Sequence, residues 1–289
     1  MNKITHQAKI SIVLPVRFVK RDWLIQSIES VISQNWDNKE LIIVNDDATE
    51  DIDDLVNRYQ IKKYIKNKEN RGLPFSLNRG FEASEGIFHT WTSADNYMLP
   101  GMLKTLAEFL QENKIFDIVY ARSMVLDTWK NRLYTTNHED IVLQKSGWKP
   151  GSYEVPNLRI YTGTIGACFL YKKEVWEQLK GYDENLHGAE DFDFWVRASM
   201  LFKIGIIPSK DPLYVYRIHS RSISAEVPGC FSRMRINILK REINKYPHDK
   251  DLKKALLKLR TNIFKDFCFS VIKKFLSRIA SLFYKNSLC

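Results

Sequence analysis

Acidic residues at three places in this chain have neighbours that suit nucleotide and sugar chemistry. Asp46 and Asp47 directly follow one apolar run, and Asp95 follows another in the tripeptide Ser93-Ala94-Asp95. A carboxylate after a strand can accept hydrogen bonds from a base or a ribose, or hold a divalent cation that bridges diphosphate oxygens. Each of these residues alone would serve equally well in a turn or at a helix start.

The third place is the pair Glu190-Asp191, which precedes an apolar segment. A carboxylate there can act as a general base that takes a proton from an acceptor hydroxyl. Two acids that open a helix are also stabilised by its dipole, and Asp193 is a third acid nearby, so the assignment stays open. His219 follows the apolar run 214–218 and suits either a metal or diphosphate site or an ordinary surface position.

The elements that must position these residues alternate through the first half of the chain. Apolar, β-branched runs predict buried strands at residues 10–16, 40–44, 64–65, 87–91 and 116–120. Segments whose apolar residues recur at helical spacing lie between these strands. This alternation predicts an α/β fold with a mostly parallel sheet flanked by helices, whose ligands bind beyond the carboxyl ends of the strands.

The boundaries of several helices also follow from the sequence. Asp22 is expected to cap the first helix, and the helix that starts at Leu73 is expected to end at Glu85 before Gly86. Residues 122–161 are predicted to form loops and short strands, and they contain aromatic residues that would build either a sugar platform or core. These aromatic residues are Trp129, Trp148 and Tyr153. Further along, we predict strands at 162–171 and 213–218 and helices at 175–179 and 191–200.

The positive charge is concentrated at the C-terminal end. The formal net charge is +10, but residues 231–289 contain 15 Lys and Arg against 4 Asp and Glu, a net of +11. The first 230 residues are therefore near neutral, and we expect no nucleic-acid partner. Apolar residues spaced three or four apart among the lysines of 250–289 predict a basic amphipathic helical tail, suited either to an anionic membrane surface or to packing on protein.

Other classes of site and segment find little support. The four cysteines form no C-x-x-C pair and no zinc spacing with histidine, so we expect reduced thiols in a cytosolic protein. No apolar stretch reaches the roughly 18 residues of a spanning helix, and residues 1–9 are polar, unlike a signal peptide. Phosphate-loop, dinucleotide-binding, nucleophile-elbow and zinc-protease motifs are absent from the sequence.

The order in which these segments follow one another is more informative than any one of them. They are residues 11–16, 27–36 and 40–49, Asn70-Arg-Gly-Leu73, Leu77-Asn-Arg-Gly80, Ser93-Ala-Asp-Asn96, Gly181-Tyr-Asp-Glu184, Gly188-Ala-Glu-Asp191 and Tyr216-Arg-Ile-His219. The set, which covers roughly residues 8–225, resembles the family 2 glycosyltransferases of the bacterial surface-polysaccharide type. The resemblance implies a Rossmann-like GT-A domain over residues 1–229. It would have a nucleotide-sugar-binding half at about 8–120, an acceptor-side half at about 121–229 and a helical extension at 230–289.

The resemblance also implies roles for single residues. Asp95 would bind Mn²⁺ or Mg²⁺, His219 would complete the metal or diphosphate site, and Asp191, beside Glu190, would be the base of a single inverting displacement. Residues implied to bind the nucleotide sugar are Pro15, Val16, Asp46, Asp47, Arg71, Arg79, Ala94 and Asp95. The implied donor is a UDP-sugar and the implied acceptor is a saccharide or a lipid-linked sugar. From the lack of a targeting segment and from the basic tail, we expect a cytoplasmic protein, either free or at the cytoplasmic face of the inner membrane.

One departure from the family pattern keeps alternatives open. Ser93 stands at the first position of the Asp-x-Asp motif, where an acid is usual, and one charge fewer weakens metal binding in the free protein. A catalytically weak or inactive nucleotide-sugar-binding or partner protein is therefore the alternative to an active transferase. A sugar nucleotidyltransferase would share the α/β layout, but residues 14–17 do not form its Gly-rich basic phosphate loop.

Overall fold

The computed structural model describes residues 7–18, 20–135, 145–146, 149, 151–155, 165–209, 211–222 and 228–265. The chain divides into two compact units, Met1–Val227 and Pro228–Cys289.

The described part of the first unit alternates strands and helices, as predicted. The strands are β1 Ile10–Val16, β2 Lys39–Asn45, β3 Lys63–Lys66, β4 Phe88–Trp91, β5 Tyr97–Met98, β6 Ile118–Tyr120, β7 Ser123–Asp127, β8 Arg132–Thr135, β9 Phe169–Lys172, β10 Ile204–Ile206 and β11 Tyr214–Ile218. The helices are α1 Arg21–Ile32, α2 Asp53–Arg58, α3 Leu73–Glu82, α4 Met102–Glu112, α5 Lys173–Leu179 and α6 Glu190–Leu201.

The main sheet has seven strands in the order β10-β6-β9-β4-β1-β2-β3. β1 runs parallel to β2 and β4, and β3 runs parallel to β2, so the carboxyl ends of these four strands lie at one edge. β9 is antiparallel to both of its neighbours. The predicted α/β fold with a mostly parallel sheet is confirmed, with one reversed strand near its middle.

β1 is covered on both faces, which explains its near-continuous apolar run. Val13 packs in a core cluster with Leu77 and Phe81 of α3, whereas Ile12 packs in another cluster with Leu106 of α4. Both faces therefore bury apolar surface, and this burial holds the carboxyl end of β1 in place beneath the loops that follow it.

A second sheet of four strands, β5-β11-β7-β8, was not specified by the sequence patterns. β11 is parallel to β7 and antiparallel to β5, with Ile218 opposite Asp127. Because β5 closely follows the segment after β4, this sheet brings the end of β11 beside the carboxyl edge of the main sheet.

Several predicted boundaries were wrong. Asp22 does not cap α1, since the helix already begins at Arg21 after an extended Lys20. α3 ends at Glu82 rather than Glu85, and the Ser84 hydroxyl donates to the carbonyl of Phe81 just past its end. Gly86 lies beyond the helix, where a Cβ would approach atoms of Ser11 and Lys9 within 3 Å, so this glycine permits a close backbone approach. The strand predicted from 162 begins only at Phe169, and residues 156–164 lie outside the described range.

In the second unit the structure describes helix α7, Pro228–Lys245, and a helical segment at residues 250–265, called α8. Glu242 is buried and accepts hydrogen bonds from Arg241 and Lys245. On α8, Leu257 and Phe264 are 67% and 66% exposed. The predicted tail residues 266–289, with Cys268 and Cys289, lie outside the described residues. Among those that are described, no helix is both long and apolar enough to cross a bilayer.

The close contact of α3 with β1 yields a stability prediction. A Cβ at Gly80 would lie 2.4 Å from a methyl carbon of Val13. Gly80→Ala should therefore lower the free energy of unfolding by about 1–3 kcal/mol through overpacking. At an open helix position the same change stabilises by about 1 kcal/mol.

Urea unfolding of the single variants and of the double variant with Val13→Ala measures this. The double variant should be more stable than additivity predicts, because the smaller side chain makes room. A Gly80→Ala protein that is more stable than wild type would contradict the packing.

Candidate functional site

The main sheet opens between β1 and β4 at Pro15. The Val13 carbonyl accepts from the Thr92 N–H at 3.0 Å on the β4 side, whereas the Val16 carbonyl accepts from Asp46 at 2.8 Å on the β2 side. By this alternation Pro15 faces β4, and without an N–H it cannot continue that ladder. The segment after Thr92 therefore leaves the sheet, which makes room at the carboxyl edge.

A shallow, open concavity lies at this edge, lined by the loops after β1 and β2 and by the starts of α1 and α2. Its apolar wall includes Val16, Leu24 and Ile52. Ala94, from the segment after β4, is buried in the core cluster that contains these three residues. Of the two residues predicted at the base pocket, Val16 lines this concavity, whereas Pro15 does not, and Ala94 packs behind it in the core.

Asp47 has an exposed carboxylate at the rim of this concavity. Its backbone is in the left-handed region, with φ of 57°, which Asp tolerates better than most residues. The Arg17 guanidinium donates to the Asp47 carbonyl at 2.8 Å and to its carboxylate at 3.0 Å. This exposed ion pair fixes the loop and leaves the carboxylate, 58% exposed, accessible to a ligand.

Asp46 turns the opposite way and is buried. One carboxylate oxygen accepts from the Asn67 amide and from the Arg71 N–H, and the other accepts from the Gly72 N–H, all at 2.8 Å. A buried carboxylate with this many donors is a structural anchor. Asp46 therefore holds the loop that starts α3, and of the pair only Asp47 faces the concavity's rim.

The two predicted arginines support this loop instead of converging on the concavity. Arg79 donates to the Asn67 side-chain oxygen at 2.5 Å, which orients the amide that Asn67 gives to Asp46. The Arg71 guanidinium lies over the Phe75 ring at 4.2 Å and leaves only its backbone N–H to Asp46.

Asp95 and His219 meet although 124 residues separate them. The His219 Nε2 lies 2.8 Å from a carboxylate oxygen of Asp95, and both side chains are largely buried. The His219 Nδ1 accepts the Arg221 N–H at 3.2 Å, so in the neutral ring Nε2 carries the proton and donates to Asp95. The single N–H of His219 is thus held by Asp95, and the second carboxylate oxygen of Asp95 has no bond to His219.

Arg217 is the residue that sequence reasoning missed. Its buried guanidinium donates to the Asp95 carbonyl and to the Gln26 side chain, and its backbone N–H donates to Asn96 at 2.7 Å. It also lies over the Trp23 ring at 4.6 Å. Arg217 therefore joins β11, the Asp95 loop and α1 in one network. The only sequence signal was its place in the segment 216–219.

The residues present fit a divalent ion held chiefly by a diphosphate. Magnesium sites often combine one or two carboxylates with substrate phosphates and water at about 2.1 Å. Asp95 offers one such carboxylate, and no cluster of three or more acidic, cysteine or histidine ligands occurs within the described ranges. The tautomer of His219 suits a diphosphate oxygen better than a metal, because Nε2 must lose its proton to bind an ion.

The acids of the second group, Glu190, Asp191 and Asp193, differ in how deeply they are buried. Asp193 is fully buried and paired with Arg197 at 2.7 Å, so it is a structural residue. The carboxylate of Glu190 accepts the Gly188 N–H at 2.6 Å, and burial together with the charge of Asp191 raises the pKa of Glu190 to about 8. Asp191 is half-buried at the first turn of α6, and its carboxylate accepts the Phe192 N–H.

Tyr182 connects the end of β4 to this acidic group. Its hydroxyl accepts the Trp91 indole N–H at 3.0 Å, and burial raises the pKa of Tyr182 far above its usual range, with Asp191 and Glu190 adding to the effect. The Asn78 side-chain N–H donates to the Tyr182 carbonyl, and the Tyr182 N–H donates to the Asn78 side-chain oxygen, both at 2.9 Å. α3 thus fixes the segment before α6 and sets Glu190 and Asp191 near the β4 end.

Glycine makes a second connection between these halves. Gly72, whose N–H binds Asp46, has φ of 89°, and a Cβ there would lie 2.3 Å from the His187 ring. The imidazole therefore packs against bare backbone directly before Gly188 and Glu190. Asp46 and the segment that leads into Glu190 are therefore both held to the loop at Gly72.

The raised pKa of Glu190 predicts a pH-dependent stability. In the range from about 4.5 to about 8 the folded protein retains a proton on Glu190 that the unfolded chain releases. The free energy of unfolding should therefore fall as pH rises through this range, and Glu190→Gln should reduce the slope. Urea unfolding at pH 5, 7 and 9 measures it, with the exposed Glu177→Gln as the control. Equal slopes for wild type and Glu190→Gln would contradict the assignment.

The Arg217 network predicts a specific loss on conservative substitution. Arg217→Lys keeps the charge but loses the planar fork, which leaves the Gln26 and Asp95 acceptors poorly paired. The free energy of unfolding should fall by about 1–3 kcal/mol. The matched control is Arg221→Lys, an exposed residue over the Phe18 ring, which should change stability by less than about 0.5 kcal/mol. Similar losses in both variants would show that the network does not hold the fold.

Comparison with known proteins shows which family the chain resembles. The sequence profile described as Glycosyl transferase family 2 matches residues 11–179. The chain is 28% identical over 249 residues to an uncharacterized glycosyltransferase of Rickettsia bellii, covering 84% of this chain and 33% of that protein. It is 26% identical over 222 residues to the uncharacterized glycosyltransferase MJ1057 of Methanocaldococcus jannaschii, covering 73% and 71%. The chain thus spans about a third of the Rickettsia bellii protein.

Solved structures share the fold. The crystal structure of S. aureus TarS 1–349 superposes with a TM-score of 0.67 at 20% identity, covering 88% of this chain and 72% of that chain. The same protein in complex with UDP-GlcNAc gives 0.69 at 18% identity, covering 89% and 73%. These likenesses confirm the predicted GT-A arrangement. Because the family profile covers more than half of the sequence, the chain belongs to glycosyl transferase family 2.

Proposed function

We propose that the protein is an inverting glycosyltransferase that moves a sugar from a UDP-sugar to a saccharide or lipid-linked acceptor in cell-surface polysaccharide synthesis. The observation that carries this proposal is the convergence of Asp95 and His219 at the open edge of the sheet, beside the concavity at Asp47. The TarS structures with UDP and UDP-GlcNAc support a uridine nucleotide as the donor carrier. EpsE of Bacillus subtilis, a putative glycosyltransferase, is 26% identical over 199 residues and covers 65% of this chain and 66% of that protein.

The donor's nucleoside would lie over the shallow concavity between β1 and α2. Its apolar wall can cover a base, and the exposed Asp47 carboxylate can accept a base N–H or ribose hydroxyls. The diphosphate would then extend toward His219, whose Nε2–H would pass from Asp95 to a phosphate oxygen when Asp95 turns to the ion. A bound Mn²⁺ or Mg²⁺ would offset the charge of the leaving diphosphate, with Asp95 as its protein ligand.

Asp191 is the proposed base, and Glu190 supports it. At neutral pH Glu190 is mostly protonated because burial raises its pKa to about 8, so it is the poorer proton acceptor. A protonated Glu190 also spares Asp191 a second negative charge at close range. Asp191 would take the proton of the acceptor hydroxyl as its oxygen attacks the anomeric carbon and the nucleoside diphosphate leaves from the opposite face, which inverts the configuration.

Ser93 supports a second candidate, a protein that binds the nucleotide sugar without efficient transfer. The Ser93 carbonyl accepts a hydrogen bond from the Ser27 hydroxyl at 3.0 Å, and the Ser93 side chain would bring no charge to the metal site. Metal affinity would then depend on the diphosphate, which supplies the missing oxygens. A measurement of sugar transfer distinguishes a transferase from a protein that only binds the nucleotide sugar.

The central prediction concerns two carboxylates with different tasks. Asp95→Asn should weaken metal-dependent UDP binding by roughly 10- to 100-fold, since the ion loses its charged protein ligand. Asp191→Asn should leave UDP binding within about twofold but lower transfer and donor hydrolysis by at least about 100-fold. Calorimetry with UDP and Mg²⁺ and release of UDP from a panel of UDP-sugars measure both.

Asp47→Asn serves as a third variant that tests the nucleoside end alone, and it should weaken UDP without changing the metal requirement. If the wild-type protein binds UDP but shows no turnover, the non-catalytic candidate is favoured. Unchanged binding and turnover in both Asp95→Asn and Asp191→Asn would contradict the proposed roles.

The second unit supports contact with an anionic membrane at the cytoplasmic face. Leu257 and Phe264, seven residues apart on α8, are both exposed and have lysines beside them at 253, 254, 258 and 265. A helix that offers an apolar face with basic flanks suits an anionic surface, where each basic residue contributes about 1 kcal/mol.

Vesicle flotation tests this proposal. Leu257→Asp should strongly reduce flotation on vesicles that contain phosphatidylglycerol, while Asn262→Asp, on a different face of α8, controls for the added charge. Equal flotation of these two variants would show that the apolar face does not enter the lipid, and packing on protein would replace the membrane role.

A further inference from the structure

The turn between β7 and β8 holds a tryptophan with no role in the site described so far. Trp129 is 63% exposed, whereas the other tryptophans within the described ranges are buried or half-buried. An exposed indole on a well-defined turn offers a flat apolar surface to a ligand.

The turn lies beside the catalytic edge. Asp127 is opposite Ile218 in the parallel pair β7–β11, and the backbone N–H and hydroxyl of Thr128 donate to the Ile218 carbonyl at 3.1 and 2.9 Å. The next residue on one strand is Trp129, and the next on the other is His219. The turn that carries Trp129 therefore begins at the end of one strand, and His219, the proposed diphosphate ligand, follows the end of the neighbouring strand.

The turn is also pre-organised. The buried carboxylate of Asp127 accepts the backbone N–H groups of both Trp129 and Lys130, at 3.0 and 3.1 Å. Asn131 completes the turn in the left-handed region, with φ of 45°. A ring carried on a fixed backbone loses less conformational entropy when it binds a ligand.

The size and surroundings of the indole indicate its partner. A single aromatic side chain offers about 150–250 Å² of surface, whereas a stable protein partner needs about 800 Å² on each side. Here Lys130, Asn131 and Arg132 are exposed and polar, so the apolar area does not extend along the turn. One apolar ring face inside a polar rim matches a pyranose, whose C–H groups stack on the indole while its hydroxyls reach the rim.

The other aromatic residues predicted as a sugar platform do not share this position. The Tyr153 ring packs edge-on against Phe109 at 5.0 Å, and its carbonyl accepts the Ile206 N–H at the β10 edge of the main sheet. That edge lies at the far end of the strand order from β2. Trp148 lies outside the described residues.

We propose that Trp129 forms an acceptor subsite on which a sugar ring of the saccharide acceptor stacks, beside the donor diphosphate. This inference rests on the proposed function, because it assigns the acceptor of that reaction. Trp129 is then a binding residue for the acceptor, and it takes no part in holding the nucleotide.

The experiment uses the full chain labelled with 5-fluorotryptophan and observed by ¹⁹F NMR. The Trp129 signal is identified by its loss in Trp129→Phe. UDP with Mg²⁺ is added first, and the methyl glycosides of glucose, galactose, mannose, rhamnose and N-acetylglucosamine are then added one at a time. At least one glycoside should shift the Trp129 signal of the UDP-bound protein well beyond any shift that UDP alone causes.

Kinetics with the responding glycoside as acceptor complete the test. Trp129→Ala should raise its KM roughly 3- to 10-fold, as the loss of one stacking contact implies, while Trp129→Phe retains most of the affinity. Leu133→Ala, which truncates another exposed side chain of the same hairpin, should leave the KM unchanged. UDP affinity should be the same in all variants.

The outcomes separate this inference from the proposed function. A Trp129 signal that no glycoside moves, or that UDP alone moves as much as a glycoside does, overturns the acceptor subsite, as does an unchanged KM in Trp129→Ala. If wild type binds UDP in the same samples, the proposed transferase stands even then. Failure of wild type to bind UDP would count against the proposed function itself.

Discussion

The buried guanidinium of Arg217 is the contact on which the site depends. Asp95 follows a strand of the main sheet and His219 follows a strand of the second sheet, so neither sheet alone brings them together. Arg217 donates to the Asp95 carbonyl and to Gln26 of α1, and its side chain is 4% exposed. With little water to compete, these hydrogen bonds hold the two sheet ends in register. The 2.8 Å approach of Asp95 to His219 follows from that register.

Burial assigns different tasks to neighbouring acids on both sides of the site. Asp46 is enclosed by three N–H donors and orders the loop before α3, which leaves Asp47 exposed at the concavity. In the group at the start of α6, Asp193 is fixed by Arg197, and Glu190 retains a proton because its charge would be poorly solvated. In each group one carboxylate supports the fold, while another, Asp47 or Asp191, is less buried.

The sequence predicted what depends on local pattern. The apolar run of β1 indicated a strand buried on both faces, and the position of Asp47 and Asp95 after strands placed them at the carboxyl edge of the main sheet. The second sheet was beyond local pattern, because β5 has two residues and β7 and β8 have five and four. The network of Arg217 depends on contacts more than 120 residues apart, and no spacing rule connects it with Asp95. Asp22 misled because the residue type that caps helices also occurs in their first turn.

The most direct test of the account is a crystal structure of the protein with UDP and Mg²⁺. The account predicts the uracil in the concavity beside Asp47, the diphosphate within hydrogen-bonding distance of His219 Nε2, and the ion bound to Asp95 and to phosphate oxygens. Arg217 should keep its contacts with Asp95 and Gln26 in that complex. A nucleotide bound elsewhere, or a diphosphate that contacts neither Asp95 nor His219, would contradict the central claim that this pair organises the donor site.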